Sequence, residues 1–317
     1  MTGTPPLAPP QPSAWGLWKL YWRMTRPGFL SITVVGCLLG MSFAAACGCG
    51  FDRIKAAATL ALALLAHAGA NVLNDYHDSR NGADAANTQG LFPFTGGSRL
   101  IQQGLVSEAD TRRWAWVLLG VLVAGGLLLA LHSGGGLVLI GLAGVALAWA
   151  YSAPPLALMS KGLGELTVAA AWWLVVVGAD HVQRQQWQLI PAYSAASYAI
   201  LVANILLVNG LPDAASDRSV GKRTLATRLT PTGLASLYTA LMLLAHSWLA
   251  VGVWVLIPPT AALWGLVSLP LGLVASALLF QRAQTPQRLR PVVGLTIATA
   301  VVHGLAMAAG VLGMGNG

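Results

Sequence analysis

Residues 56–78, AAATLALALLAHAGANVLNDYHD, decide the fold of this chain. The stretch is apolar at first and then places Asn71, Asn74, Asp75 and Asp78 at its end. A helix of about 20 residues crosses the roughly 30 Å apolar core of a bilayer. The stretch therefore predicts a membrane helix that ends in a polar, acidic stripe.

The apolar part of this pattern recurs along the chain. The 317 residues are 56% hydrophobic and only 9% charged, whereas soluble domains are about 25% charged. We predict an all-α integral membrane protein with nine transmembrane helices in a bundle. The predicted spans are 28–48, 56–76, 114–131, 137–152, 163–180, 191–212, 232–254, 261–281 and 291–312. A polar cytoplasmic leader (1–27), the membrane domain (28–312) and a short tail (313–317) complete the division.

Basic residues orient the predicted bundle, because Lys and Arg collect in cytoplasmic segments. With the N-terminus inside, only Arg53, Lys55 and Arg184 fall on the outer side, and the other 15 of the 18 basic residues fall on the cytoplasmic side. The net charge of +8 is thus explained by topology, and no nucleic-acid partner is expected.

A second segment repeats the acidic stripe. Asn209-Gly-Leu-Pro-Asp213-Ala-Ala-Ser-Asp217 closes the sixth span as the first stripe closes the second. Asn71, Asp75 and Asp78 share one helix face, and so do Asn209, Asp213 and Asp217. Two polar islands that begin at these points, 74–110 and 213–230, hold seven of the ten acidic residues and are expected to be cytoplasmic loops.

Such paired carboxylates point to a bound cation. Like charges on one helix face repel each other, and they also oppose the helix dipole at a C-terminus. Mg²⁺ prefers a few carboxylates together with substrate phosphates, and the basic run that follows Asp217 would suit a phosphate. The alternative is a pair of solvated helix ends with no ligand.

Three motifs resemble those of the UbiA superfamily of intramembrane prenyltransferases. They are Asn74-Asp75-Tyr-His-Asp78 with Asp84, Asp213-Ala-Ala-Ser-Asp217 followed by Lys222-Arg223, and Tyr151-Ser-Ala-Pro-Pro with Lys161-Gly-Leu-Gly-Glu165. The third is similar to the helix connection of the branch that prenylates 1,4-dihydroxy-2-naphthoate, called MenA.

The resemblance implies a nine-helix bundle around a central cavity open to the cytoplasmic side, where two Mg²⁺ ions bridge the aspartates to an isoprenyl diphosphate. It further implies an allylic carbocation that an electron-rich aromatic ring attacks. The implied catalytic residues are Asp75, Asp78, Asp213 and Asp217. The implied metal ligands are Asn74, Asp75, Asp78, Asp84, Asp213 and Asp217. The implied substrate contacts are Asn71, Asn74, Arg99, Tyr151, Lys161, Asn209, Lys222 and Arg223.

The identity of the acceptor stays open between a naphthoate-like ring and other rings such as 4-hydroxybenzoate or homogentisate. The spacing of Asp78 and Asp84 is that of the naphthoate branch, whereas Thr95-Gly96-Gly97-Ser98-Arg99 departs from it. This glycine turn is itself expected to bind an anion, because its backbone N–H groups can converge beside Arg99. For Tyr151 an interfacial anchor is the alternative to a role beside the cation.

The rival class is a membrane transporter that uses the acidic helix ends as an ion site. A transport site should lie near the bilayer midplane, whereas these acids gather at one face. We therefore predict an enzyme that belongs to quinone biosynthesis, menaquinone biosynthesis in particular. We expect it in a bacterial inner membrane, because the loops are short.

Overall fold

The computed structural model describes residues 14–88, 90–92 and 94–314, and every regular element in this part of the chain is helical. Residues 1–13 of the predicted leader and 315–317 of the predicted tail lie outside it. In chain order the α-helices are α1 (Ala14–Met24), α2 (Pro27–Ala46), α3 (Arg53–Arg80), α4 (Ala83–Ala86), α5 (Glu108–Ser133), α6 (Gly136–Ser152), α7 (Gly164–Arg184), α8 (Leu189–Ser219), α9 (Leu225–Arg228), α10 (Pro231–Trp254), α11 (Leu269–Arg282) and α12 (Arg290–Met314). Short 3-10 helices occupy Leu158–Lys161, Thr260–Ser268 and Pro286–Arg288.

The all-α membrane fold is confirmed. Eight helical segments of the described chain are long and apolar enough to cross a bilayer, and α6 is a shorter apolar helix of 17 residues. The eighth predicted span, 261–281, is composite, since a 3-10 helix leads directly into α11. Each of the nine predicted segments thus coincides with a helix, and the number of true crossings stays a prediction.

Helix α8 lies at the centre of the bundle. Its most apolar window is 72% buried, compared with 22% for α5, which lies at the periphery. Tyr198 and Leu201 of α8 pack in one apolar core with Val35 of α2 and Met242 of α10. Close helix approach depends on small residues, and a Cβ at Gly40 of α2 would overlap the Val176 carbonyl oxygen of α7. The centre of the bundle therefore carries one of the two acidic stripes.

The first residues of each polar island are helical. Helix α3 continues to Arg80 and α8 continues to Ser219, so the acidic stripes are helical. Pro212 lies inside α8 without ending it. A proline that lacks its N–H is tolerated where neighbouring groups satisfy the freed carbonyl. The four stripe carboxylates therefore lie on helices, as their spacing predicted, and the loops of the two islands begin after them.

The opposite end of the bundle holds the basic residues that were assigned to the outer side. Lys55 Nζ donates to the His132 carbonyl oxygen over 2.7 Å, and Arg184 pairs with Asp180 at 2.8 Å. Asp52 caps α3 there by accepting from the backbone N–H groups of Ile54 and Lys55. The two ends thus differ in charge as predicted, while the membrane face that each end occupies remains a prediction.

Candidate active site

A cavity lies at the end of the bundle where α3 and α8 finish. Its lining has a polar part and an apolar part. The polar lining includes Asn71, Asn74, Asp78, Asp84, Asn87, Asn209, Asp213, Asp217 and Lys222. The apolar lining includes Phe29, Ile32, Val168, Trp172, Val202, Ile205 and Leu206. One space therefore joins a charged site to an apolar pocket.

The end of α3 holds its carboxylates with cations. Asp75 forms an ion pair with Arg26, just ahead of α2, and accepts a hydrogen bond from the backbone N–H of Ser98 at 3.2 Å. Asp78 accepts from Lys222 Nζ at 2.6 Å and from Asn74 Nδ2 at 3.1 Å. Both carboxylates of this stripe are thereby compensated by positive charge.

The end of α8 relies more on neutral donors. Asp213 accepts from Asn87 Nδ2 at 2.7 Å and from the backbone N–H of Gly96 at 3.0 Å. Asp217 lies one helical turn farther on, and its Oδ1 is 3.4 Å from Lys222 Nζ. Residues from both polar islands therefore converge on this stripe.

Lys222 joins the two helix ends. Its side chain is only 4% exposed and lies between Asp78 and Asp217. Burial alone would lower the pKa of this amine, but the charges of Asp78 and Asp217 outweigh burial and raise the pKa above its usual value. Lys222 is therefore a charged, buried cation that links the acids of α3 to those of α8.

The ionised form of Asp84 is strongly destabilised by its surroundings. It lies in α4, and burial, with added repulsion from Asp78 and Asp75, raises the pKa of its carboxyl to about 8. Gly97 approaches it closely, since a Cβ at Gly97 would lie 2.9 Å from Asp84 Oδ2. The positive φ of 73° at Gly97 also favours glycine. A bound cation would relieve this carboxylate.

Backbone N–H groups of the glycine turn donate to carboxylates of the chain itself, and binding of a ligand anion by this turn stays a prediction. The N–H of Gly96 is bonded to Asp213, and the N–H of Ser98 is bonded to Asp75. Arg99 donates instead to the backbone carbonyl oxygens of Asp84 and Asn87. The turn therefore ties the loop after α4 to both helix ends.

The predicted site residues divide into two groups. Those that line the cavity are Asn71, Asn74, Asp78, Asp84, Tyr151, Asn209, Asp213, Asp217 and Lys222. Asp75, Arg99, Lys161 and Arg223 are not in the lining. Lys161 and Arg223 are exposed, with Lys161 Nζ bonded to the Pro155 carbonyl oxygen and the Arg223 N–H bonded to the Ser160 carbonyl oxygen.

Sequence reasoning missed Arg26, Asn87 and Glu165 as members of this site. Arg26 was counted only as a topology charge, yet it binds both Asp75 and Asn74. Asn87 carried no signal beyond its place in an acidic island, and the contact with Asp213 spans 126 residues of chain. Glu165 was noted in a motif and was given no function.

The donor set fits Mg²⁺ held jointly with phosphate oxygens. No three Asp, Glu, His or Cys side chains within residues 14–88, 90–92 and 94–314 are close enough together to hold an ion unaided. Asn209 Oδ1 is nonetheless buried without a hydrogen-bond partner among them. An unsatisfied oxygen beside carboxylates suits a hard cation, and Mg²⁺ is commonly bound by one or two carboxylates plus substrate phosphates.

Comparison with known proteins adds a family and a fold. The UbiA prenyltransferase family profile matches residues 33–299. The chain is 31% identical to a 1,4-dihydroxy-2-naphthoate octaprenyltransferase of Mycobacterium leprae, with 80% of this chain and 83% of the relative covered. It is 30% identical to the Escherichia coli protein of the same description, with 90% and 92% covered.

The fold has solved counterparts. One is a UbiA homolog from Archaeoglobus fulgidus bound to DMAPP and Mg²⁺, with a TM-score of 0.52 and 17% sequence identity. The match covers 91% of this chain and 99% of that structure. At this identity the likeness shows a shared fold.

Proposed function

The chain belongs to the UbiA prenyltransferase family, and on that premise we propose that it transfers a prenyl group from an isoprenyl diphosphate to an aromatic acceptor in a Mg²⁺-dependent reaction. The observation that carries the proposal is the meeting of two acidic helix ends at Lys222, in a cavity that also has an apolar lining. A diphosphate needs charge on one side and its hydrocarbon chain needs an apolar pocket, and this cavity offers both.

The metal ligands would come from both stripes. Asp78 and Asp84 with Asn74 would serve one ion, and Asp213 and Asp217 with Asn209 would serve another. When bound, Mg²⁺ supplies Lewis acidity that stabilises negative charge on the departing diphosphate. Asp75 is already paired with Arg26, so its proposed part is to hold that cation beside the cluster.

Other residues of the chain would bind and orient the prenyl donor. Lys222 would donate to diphosphate oxygens. Its ammonium group lies between two proposed metal ligands, Asp78 and Asp217, and the phosphates would bind beside the metal ions. The apolar lining contributed by α2 and α8, which includes Phe29 and Leu206, would hold the hydrocarbon tail and exclude water. Tyr151 would face the positive charge that develops on the allylic carbon as the C–O bond breaks. Lys161 and Arg223 receive no contact in this proposal, because they lie outside the lining.

A naphthoate-like acceptor is favoured. The two relatives described above are both 1,4-dihydroxy-2-naphthoate octaprenyltransferases, and each is matched over most of its length. We therefore place the reaction in menaquinone biosynthesis, with 4-hydroxybenzoate, homogentisate or another ring as the alternative acceptor. A transporter is disfavoured, because the acids gather at one end of the bundle and the family consists of prenyltransferases.

The test is an assay of purified protein in nanodiscs with a panel of prenyl diphosphates and aromatic acceptors. We expect a prenylated 1,4-dihydroxy-2-naphthoate product that requires Mg²⁺ and disappears with EDTA. Product from another ring alone would reassign the acceptor. Binding of the diphosphate without transfer to any ring would contradict the proposed function.

We further propose a bacterial inner-membrane location with the active-site end in the cytoplasm. The distribution of basic residues supports it. Gln103 is exposed at the active-site end, and Gln186 is exposed at the other. In a background without native cysteines, Gln186→Cys should react with an impermeant thiol reagent from outside intact cells, and Gln103→Cys should not. The reverse pattern would invert the topology.

A further inference from the structure

Glu165 is an acidic residue of the cavity that the metal site does not use. It lies in the first turn of α7 and lines the cavity, whereas the four lining aspartates belong to α3, α4 and α8. Its carboxylate forms no ion pair, and it forms no hydrogen bond with another residue in the described part of the chain. Lys222, Asn87 and the Gly96 N–H are all engaged by aspartates instead.

The surroundings of Glu165 are aromatic. Glu165, Val168 and Trp172 fall at i, i+3 and i+7 on α7, and all three line the cavity. Tyr151 also lines it and lies close enough to interact with the Glu165 charge. His67 of α3 also lines the cavity and meets the Trp172 ring edge-on, with the ring centres 4.9 Å apart. This part of the cavity suits a flat ring better than it suits a flexible prenyl chain.

A second polar group on the same face is unsatisfied. Trp172 Nε1 is buried, and it has no hydrogen-bond partner among the described residues. A buried donor without a partner is costly, so a ligand oxygen would be stabilised beside it. One α7 face thus offers an acceptor, Glu165, and a donor, Trp172, separated by about two helical turns or roughly 10 Å along the axis.

We propose that this α7 face is the subsite for the aromatic acceptor and that Glu165 takes the proton of its phenolic hydroxyl. The inference rests on the proposed function, which requires a hydroxylated ring. Removal of that proton makes the ring electron-rich at the carbon that must attack. General-base groups contribute about 100- to 10,000-fold when placed within hydrogen-bond reach.

The step balances without any further reactant. The phenolic proton moves to a Glu165 carboxylate oxygen as the ring carbon forms a bond to the allylic carbon. The allylic C–O bond breaks, and its electron pair leaves on the diphosphate. The attacked ring carbon then releases its own proton to water, or loses carbon dioxide if it carries a carboxylate. In either case the electron pair left behind restores the aromatic ring with a negative oxygen, and the Glu165 acid returns its proton to that ring oxygen.

Glu108 is a matched control. It is the other glutamate of the chain, it also lies in the first turn of a helix, and it bonds to Ser79 away from the cavity. If Glu165 served only to favour a helix N-terminus, Glu165→Gln and Glu108→Gln would behave alike. A role in the reaction separates the two variants in rate and in pH dependence.

The experiment measures three quantities in full-length protein with Mg²⁺: kcat against pH with 1,4-dihydroxy-2-naphthoate, KM for that acceptor, and the Kd of a prenyl thiodiphosphate. We expect Glu165→Gln to lower kcat about 100- to 10,000-fold near pH 7, while the Kd of the thiodiphosphate stays within about twofold and Glu165→Asp recovers part of the rate. The deficit should shrink as pH rises towards about 10, where phenols ionise unaided. Glu108→Gln should match the parent.

Three results would overturn the inference. Glu165→Gln could retain the parent rate, its deficit could be equal at every pH, or it could lose thiodiphosphate binding as well. In each case the parent protein would still transfer the prenyl group, so the proposed function would survive. If the parent itself transfers nothing to any ring, the proposed function fails and the subsite falls with it.

Discussion

The ends of α3 and α8 carry nearly the same sequence pattern and hold it in different ways. Each presents an Asn and two Asp residues on one face. Asp75 and Asp78 of α3 both contact cations, Arg26 and Lys222. Asp213 of α8 is held by the neutral donors Asn87 and Gly96. A similar stripe therefore does not produce a similar charge balance.

The difference shows where a cation is still needed. Arg26 and Lys222 are the cations paired with these carboxylates in the described chain, and Lys222 is shared between the two helix ends. Asp84 and Asp213 have no such partner there, and burial raises the pKa of Asp84 to about 8. The carboxyl groups without a cationic partner therefore lie on the side of Asp84 and α8. We expect a metal-diphosphate complex to be recruited there.

The largest predicted effect comes from removing one carboxylate at either helix end. Asp78→Asn or Asp217→Asn should lower kcat by about 1,000-fold or more, since each removes a proposed ligand of Mg²⁺, and the Lewis acidity of the metal is worth several kcal/mol. The measurement is single-turnover prenyl transfer across a Mg²⁺ series, with insertion checked by membrane fractionation. Near-parental turnover at low Mg²⁺ in either variant would remove that carboxylate from the ligand set.

A second prediction removes the residue shared by the two ends. Lys222→Met should lower kcat/KM for the prenyl diphosphate about 10- to 100-fold, which corresponds to loss of one charge-assisted contact. It should also lower the thermal midpoint in EDTA, because Asp78 and Asp217 lose their buried partner.

Mg²⁺ should restore much of the lost stability of Lys222→Met, since the metal replaces a missing cation. Lys55→Met is the control, because Lys55 is only partly buried and bonds to a backbone carbonyl oxygen at the opposite end of the bundle. A Lys222→Met protein as stable as the parent in EDTA would show that Lys222 does not link the helix ends.

A third prediction concerns the neutral donors that distinguish α8. Asn87→Ala should destabilise the protein by about 1 to 3 kcal/mol, because the buried Asp213 carboxylate loses a hydrogen bond. The thermal midpoint in detergent measures this, with Gln103→Ala, at an exposed loop position, as control. If Asn87→Ala has the same thermal midpoint as the parent, water or another donor replaces Asn87. Neutral side-chain donors would then not distinguish the end of α8 from the end of α3.

The smallest predicted effect is at Arg223. Its exposed position outside the cavity lining predicts that Arg223→Lys keeps kcat/KM within about twofold, as is usual for an exposed charge. A loss of about tenfold or more, the range of a charge-assisted contact, would mean that Arg223 contacts the diphosphate, as the family resemblance implied.

The helical stripes could be predicted from the sequence, and their partners could not. Spacing alone places three residues on one helix face: Asn209, Asp213 and Asp217. The choice between adjacent Lys222 and Arg223 depends on how the chain turns after α8, which no local pattern fixes. Arg26 and Asn87 reach their carboxylates only because distant segments pack together. The periodicity of a sequence predicts helix faces, but it does not predict contacts between distant segments.

The most direct test of the account is calorimetric titration of a prenyl thiodiphosphate into the parent, Asp78→Asn, Asp217→Asn and the double variant, with and without Mg²⁺. If both helix ends bind one metal-diphosphate complex, parental binding requires Mg²⁺. The double variant then loses little more affinity than the weaker single variant, because residues that act as a unit are not additive. Binding that ignores Mg²⁺, or losses that simply add, would contradict the account.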